Sequence, residues 1–362
     1  MIPERCKDPS RLFVALDVSW LACVAFGIVC GKPTDDPSVK AVEMRPILCG
    51  WLAKLYGGKR PGYIVACLDS VGPTWRHAET AHLPTERRYK AGRTKRPQEF
   101  YDELAGFIEI LRMHGIPCYR AEGWEADDVA AALTARALAA GLDVVLVTLD
   151  HDWRALARDR DATAGEVYCW SYGRADAKTI GPAEMLAAKD FGLSPAMVPQ
   201  MTAICGDGDN IRGAEGIGPG KARIALERWG SVDGILAAPA ADLAPLEASV
   251  DLLEKARNKA VKALGKPAPD GVDLLAQSVA AIHALDAARL LAGAEKIRAT
   301  IAAHADAVRL GLTLATLDPY APLSPPFALP ACVARIADPA QLAAVYRRNQ
   351  FHVLADDVEV AA

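Results

Sequence analysis

Apolar residues along this chain gather first into short unbroken runs and later into long helical repeats. Residues 11–26 read as a buried strand, Leu12-Phe13-Val14-Ala15-Leu16, that ends at Asp17 and gives way to a helix beginning near Ser19. A turn-rich loop at 32–37 follows, then residues 44–56 with apolar positions at helical spacing, stopped by Gly57-Gly58. Residues 63–68 form a second strand with Asp69 at its carboxyl end. From 98 to 114, Phe100, Leu104, Phe107, Ile108 and Leu111 share one helical face, and 116–119 make another short strand. A helix from Glu125 to about Ala140, a strand at 143–148, a helix at 152–157 and an outer strand at 167–172 complete a βαβ alternation. That alternation predicts a three-layer α/β domain with a mostly parallel sheet over 11–180.

Beyond residue 180 the pattern turns helical. Residues 182–191 and 195–204 each carry proline in a first helical turn. Residues 206–220 are too rich in glycine for regular structure and lead into a helix at Pro219. Residues 229–317 are alanine-rich and helical, broken at 266–271. A helical region at 181–317 is therefore expected, then a linker at 318–330 marked by five prolines, then a tail at 331–362 with room for a strand and one short helix.

The acids change this picture from architecture to chemistry. Asp17 and Asp69 follow strands, Asp150 and Asp152 follow the strand at 143–148, and Glu125-Ala126-Asp127-Asp128 places three carboxylates in four residues. In an open parallel sheet the carboxyl ends of the strands are where ligands bind. Two readings of the acidic tetrapeptide stand side by side: a charged first turn that complements the helix dipole, or part of a metal pocket shared with the strand-end acids. Net charge is −4, yet Arg87, Arg88, Lys90, Arg93, Lys95 and Arg96 stand against the single acid Glu86, and Trp75, His77 and Tyr89 are interleaved nearby. The bland alternative is a solvated loop. Length exceeds one average domain, nine cysteines show no paired spacing, and no run of 18 uncharged apolar residues occurs. Reduced thiols, a cytoplasmic location and no membrane are the expectation.

Three segments together resemble the 5′-nucleases, which include phage flap endonucleases and the 5′-nuclease domain of bacterial DNA polymerase I. They are Gly123-Trp124-Glu125-Ala126-Asp127-Asp128, Thr148-Leu149-Asp150-His151-Asp152 and the stretch from Asp209-Asn210 to Gly218; Tyr89-Lys90-Ala91-Gly92-Arg93 is similar to the family's arch motif. The resemblance runs from about Leu12 to Leu317. It implies a PIN-like domain with an arch at 70–97, followed by a helical region with a helix-turn-helix variant that grips duplex DNA. It also implies Mg²⁺-dependent cleavage of DNA near 5′ ends and flaps by two metal ions, with Mn²⁺ as a substitute, in a monomer. Asp17, Asp69, Glu125 and Asp127 would serve the first ion, Asp150, Asp152 and Asp209 the second, with Asp128 bridging or behind them. Lys90 and Arg93 would meet the scissile phosphate, while Tyr89 stacks on a base and Arg88 adds to the DNA contacts. Gly213, Gly216, Gly218, Lys221 and Arg223 would hold duplex phosphates, with K⁺ on the loop carbonyls. One departure is visible: the family's two acids in the glycine-rich segment stand three apart, whereas here Asp207 and Asp209 stand two apart and the earlier position falls on Gly206. Two rivals remain at this stage, a PIN-type ribonuclease and a non-catalytic junction binder with a decayed metal site.

Overall fold

The computed structural model describes residues 6–30, 44–56, 60–172, 177–188, 192–264, 273–335 and 339–348. The expected loop at 32–37, the stop at Gly57-Gly58, the break at 266–271 and the tail beyond 348 lie outside the described residues. The chain forms two compact units, one from residues 1–198 and 316–362, the other from 199–315. Beside the expected helical region at 181–317, the second compact unit spans 199–315.

In the first unit six strands form one sheet in the order β3-β2-β1-β4-β5-β6: β1 Leu12–Asp17, β2 Tyr63–Cys67, β3 Cys118–Tyr119, β4 Asp143–Val147, β5 Val167–Trp170 and β6 Thr179–Ile180. All pairings are parallel except β5 with β6. β1 is buried along its whole length, so its alternate side chains supply two separate cores. Leu12, Val14 and Leu16 face the helices Val18–Cys30, Met44–Tyr56 and Gln98–Met113, together with Leu342 and Tyr346 of the helix Pro339–Arg348. Phe13 and Ala15 face the helix Ala126–Ala139 and Trp153 of the 3-10 turn Asp152–Leu156. The strand order reverses direction at the β1–β4 pair, which opens a crevice at the carboxyl ends of those strands.

Two expectations about this unit are corrected. Residues 318–330 are not a linker: Ala321 is fully buried, Leu323, Phe327 and Leu329 pack on the second core, and Ser324 bridges to Arg120. Prolines suit such a segment because it adds no regular strand yet lies extended against an apolar surface. Among its described residues the tail holds the expected helix, and Val333 makes a single bridge to Tyr63.

The second unit contains the helices Pro219–Trp229, Val232–Ala237, Leu243–Ala263, Leu274–Ala303 and Ala305–Ala315, with most of Val198–Cys205. Leu274–Ala303 is apolar and long enough to cross a membrane by length and composition alone. Here it lies along Leu243–Ala263 as a hairpin, burying Ser278, Leu285 and Ala292 at seven-residue intervals.

Candidate metal centre and its basic arch

Five aspartates from four segments of the first unit approach the crevice. Asp17 ends β1 and is 4% exposed; its Oδ1 accepts the Trp20 N–H at 2.8 Å and its Oδ2 the Thr148 hydroxyl at 2.8 Å. Asp69 follows β2 and accepts the Ser19 hydroxyl at 2.6 Å and the Ala126 N–H at 3.0 Å. Asp127, in the first turn of Ala126–Ala139, accepts the Trp153 indole N–H at 2.6 Å. After β4, the Asp150 N–H donates to Thr148 Oγ1 at 3.0 Å, and the Asp152 N–H donates to Asp150 Oδ1 at 3.1 Å. Asp17, Asp69, Asp127 and Asp150 are each aimed by a neighbour's donor.

Their mutual field is strong. Burial and then the charges of Asp150, Asp152, Asp17 and Asp69 push the Asp127 carboxyl well above the ordinary carboxylate range. Asp17 is pushed up to about 7 by burial, opposed by its bonds from Trp20 and Thr148 and reinforced by Asp69 and Asp150. Among the described residues no three of these acids are drawn together closely enough to hold a metal ion as they stand. The donor set nevertheless fits hard divalent cations, since it is all oxygen and its repulsion is what a cation relieves.

Glu125 and Asp128 belong to a different arrangement. Glu125 Oε2 accepts the Tyr89 hydroxyl at 2.9 Å, and its Oε1 lies 2.7 Å from Lys90 Nζ. Asp128 is fully buried, with Arg76 Nη1 at 2.5 Å from Oδ2 and Nη2 at 2.9 Å from Oδ1. Asp128, expected in a bridging or supporting role near the metal pocket, has both carboxylate oxygens bound by Arg76. The first turn of a helix advances about 100° per residue, so neighbouring acids face different surroundings.

The arch also differs from expectation in its first half. Trp75–Glu79 is helical, and Arg76, Thr80 and Tyr89 are 1%, 2% and 6% exposed. With no apolar periodicity to pack it, this half is held by polar anchors: Thr80 Oγ1 accepts the Tyr89 N–H at 3.0 Å and donates to the Arg76 carbonyl. Tyr89 does not present its ring for base stacking in this structure, because the ring is buried edge-on to His77. Arg88 and Arg93 are exposed, with Arg88 Nε donating to the Leu83 carbonyl. Sequence reading missed Arg76, Thr148 and Trp153. A signal for Arg76 existed in the surplus of acids at 125–128, since a buried carboxylate requires a partner.

In the second unit the glycine-rich loop is shaped from within. Gly206 adopts φ +75°, and a Cβ there would lie 2.5 Å from the Ile211 carbonyl oxygen, so an acid at this position is sterically barred. Asp207 Oδ1 accepts the Asp209 and Ile211 N–H groups at 2.8 and 3.1 Å and closes the turn. Gly213 packs against the Ile204 carbonyl, and Gly216 takes φ +77°. Gly218 caps the helix Pro219–Trp229, where Lys221 donates to the Gly216 carbonyl at 2.9 Å and Arg223 lies 3.6 Å from Glu227.

Residues 14–188 match the family described as 5′-3′ exonuclease, N-terminal resolvase-like domain. The chain is 34% identical over 178 residues to a DNA polymerase I of Chloroflexus aurantiacus, matching 49% of this chain and 18% of that protein. It therefore spans less than a fifth of that relative's length. It is 30% identical over 213 residues to Flap endonuclease Xni of Cronobacter sakazakii, matching 57% of this chain and 73% of that protein. The bacteriophage T5 D15 flap endonuclease, solved as a pseudo-enzyme–product complex with DNA and metal ions, has a similar fold, with TM-score 0.51, 19% identity, and coverage of 96% and 98% of the two chains. Fold, motif order and coverage agree, and the chain belongs to the 5′-3′ exonuclease and flap endonuclease family.

Proposed function

We propose that the protein is a divalent-metal-dependent, structure-specific nuclease that hydrolyses phosphodiester bonds of DNA near 5′ ends and 5′ flaps. The observation that carries this reading is the convergence of Asp17, Asp69, Asp127, Asp150 and Asp152 on one crevice, two of them pushed above the usual carboxylate range by burial and mutual repulsion. A stable fold that keeps such repulsion gains from a cation, and pockets of this kind cluster at functional sites. Asp17, Asp69 and Asp127 would hold one ion, and Asp150 and Asp152 a second. Mg²⁺ bound there supplies Lewis-acid charge at the phosphate and a nucleophile from water at neutral pH.

The chain's own groups do the rest. Thr148, Ser19 and Trp153 fix the rotamers of Asp17, Asp69 and Asp127, so the acids need little reorganisation when charge develops. Lys90 is held within reach of Glu125 and supplies a cation for the phosphate oxygens, with Arg93 on the exposed side of the same turn. The loop from Gly213 to Gly218 and the helix behind it, with Lys221 and Arg223, offer backbone N–H groups and two cations to duplex phosphates. Such contacts position DNA without reading its sequence.

End-labelled 5′-flap, blunt-duplex and single-stranded DNA, each with Mg²⁺ or with EDTA, test the reading. Cleavage of the flap near its junction, in Mg²⁺ only, is expected. No cleavage of any DNA, or cutting of RNA alone, would sink it.

A further inference from the structure

We propose that Asp128 is a positioning residue and not a metal ligand: with Arg76 it forms a buried strut that fixes Glu125 and, through it, the Tyr89–Lys90 corner of the arch. The role of that corner rests on the nuclease reading above, whereas the strut stands on its own contacts.

A carboxylate has roughly four lone-pair directions. Those of Asp128 are all in use. Oδ2 receives Arg76 Nη1 at 2.5 Å, the Glu125 N–H at 3.3 Å and the Trp75 indole N–H at 3.4 Å, while Oδ1 receives Arg76 Nη2 at 2.9 Å and the Asp318 N–H at 2.9 Å. A cation at Asp128 would have to displace the guanidinium from its bidentate partner within the core, where Arg76 is 1% exposed. Breaking a buried, bidentate ion pair is costly.

The same strut reaches the arch by two routes. Arg76 Nη1 lies 3.7 Å from Glu125 Oε2, whose carboxylate binds both the Tyr89 hydroxyl and the Lys90 ammonium. The Arg76 carbonyl accepts from Thr80 Oγ1, which in turn accepts the Tyr89 N–H. Between these anchors Lys90 has φ +56°, a left-handed conformation that a lysine adopts only when its surroundings impose it. A third contact, the Asp318 N–H on Asp128, ties in the segment that follows residue 315, and Trp124 Nε1 donates to Asp318 Oδ2 at 3.1 Å. Asp128 therefore joins three stretches of chain that are remote in sequence, and the consequence of losing it is a misplaced Lys90.

Two measurements on the full chain test the assignment. In the first, Mn²⁺ is titrated calorimetrically without DNA: Asp128→Asn should change its affinity less than about threefold, while Asp127→Asn weakens it more than tenfold. Equal weakening by both substitutions overturns the assignment. In the second, Arg76→Met is combined with Asp128→Leu, which replaces the pair by apolar groups of similar volume and so avoids stranding either charge. Flap binding in Ca²⁺ should stay within about threefold of wild type, and saturated single-turnover cleavage in Mg²⁺ should fall at least tenfold. A folded double variant that cleaves at the wild-type rate when saturated removes the positioning role. If the double variant does not fold, the Mn²⁺ titration of Asp128→Asn still decides whether Asp128 is a ligand. A wild-type protein that cuts no flap overturns the nuclease reading, and the titration again stands apart from it.

Discussion

Asp127 and Asp128 are adjacent in the chain and lie in the same helical turn, yet the fold treats their charges in opposite ways. Asp127 looks toward four other aspartates and one indole donor, and its carboxyl is driven well above the ordinary range. Asp128 looks the other way, into a guanidinium that meets both of its oxygens. Counting acids in the sequence treats the two as equal members of one cluster. Only the direction of each side chain separates an acid that stores repulsion from one that is already neutralised. Stored repulsion is what an incoming cation can discharge, so the first arrangement suits a reactive centre and the second suits a fixed support.

The sharpest way to break this comparison is kinetic. Asp150→Ala, which removes one of the repelling carboxylates, should lower flap cleavage about a thousandfold or more, a rise of roughly 4 kcal/mol in the barrier, with binding in Ca²⁺ largely kept. Retention of near-wild-type turnover would show that the strand-end acids are ornamental. Stability comes next, where the two neighbours should differ in sign. Asp128→Ala removes the bidentate partner of the buried Arg76 and should cost about 3–5 kcal/mol in denaturant unfolding without metal. Asp127→Asn relieves repulsion and should leave metal-free stability unchanged or raise it by about 1 kcal/mol. Losses of similar size from both would mean that the pocket acids are structurally paired after all.

A third mode of burying an ionisable group sharpens the contrast. His114 is 2% exposed, its Nε2 lies 2.6 Å from the Tyr346 hydroxyl, and burial holds its pKa down to about 4. The unfolded imidazole takes its proton near pH 6.5, so folding is unpenalised above that value and loses stability as pH falls from about 6.5 to 4, by up to roughly 3 kcal/mol. His114→Gln should flatten unfolding free energy against pH across that window. A slope that persists in the variant would assign the effect to the carboxylates. The smallest effect is expected where charge is exposed: Lys221→Ala with Arg223→Ala should lower the salt slope of duplex binding by about 2 and weaken binding alike for all sequences. An unchanged slope would move the duplex contact off the helix Pro219–Trp229.

What the sequence determined by itself was the part governed by local pattern. Unbroken apolar runs at β1, β2 and β4 could only be satisfied in a sheet covered on both faces, and an acid placed just after each run had to lie at one edge of that sheet. The amphipathic helix Gln98–Met113 and the glycine-rich turn were legible for the same reason, since periodicity and φ preference act within a few residues. The identity of each acid's partner was not local. Arg76 finds Asp128 across 52 residues and Tyr89 finds Glu125 across 36, so both pairings depend on how the arch folds back. Residues 318–330 read as a linker because prolines break regular structure locally, while their apolar side chains found a face of the sheet that only the assembled core provides. Hydrophobic pattern thus settled where carboxylates gather, and tertiary structure decided which were left unneutralised, because charge compensation is a matter of distance in space and carries no period along the chain.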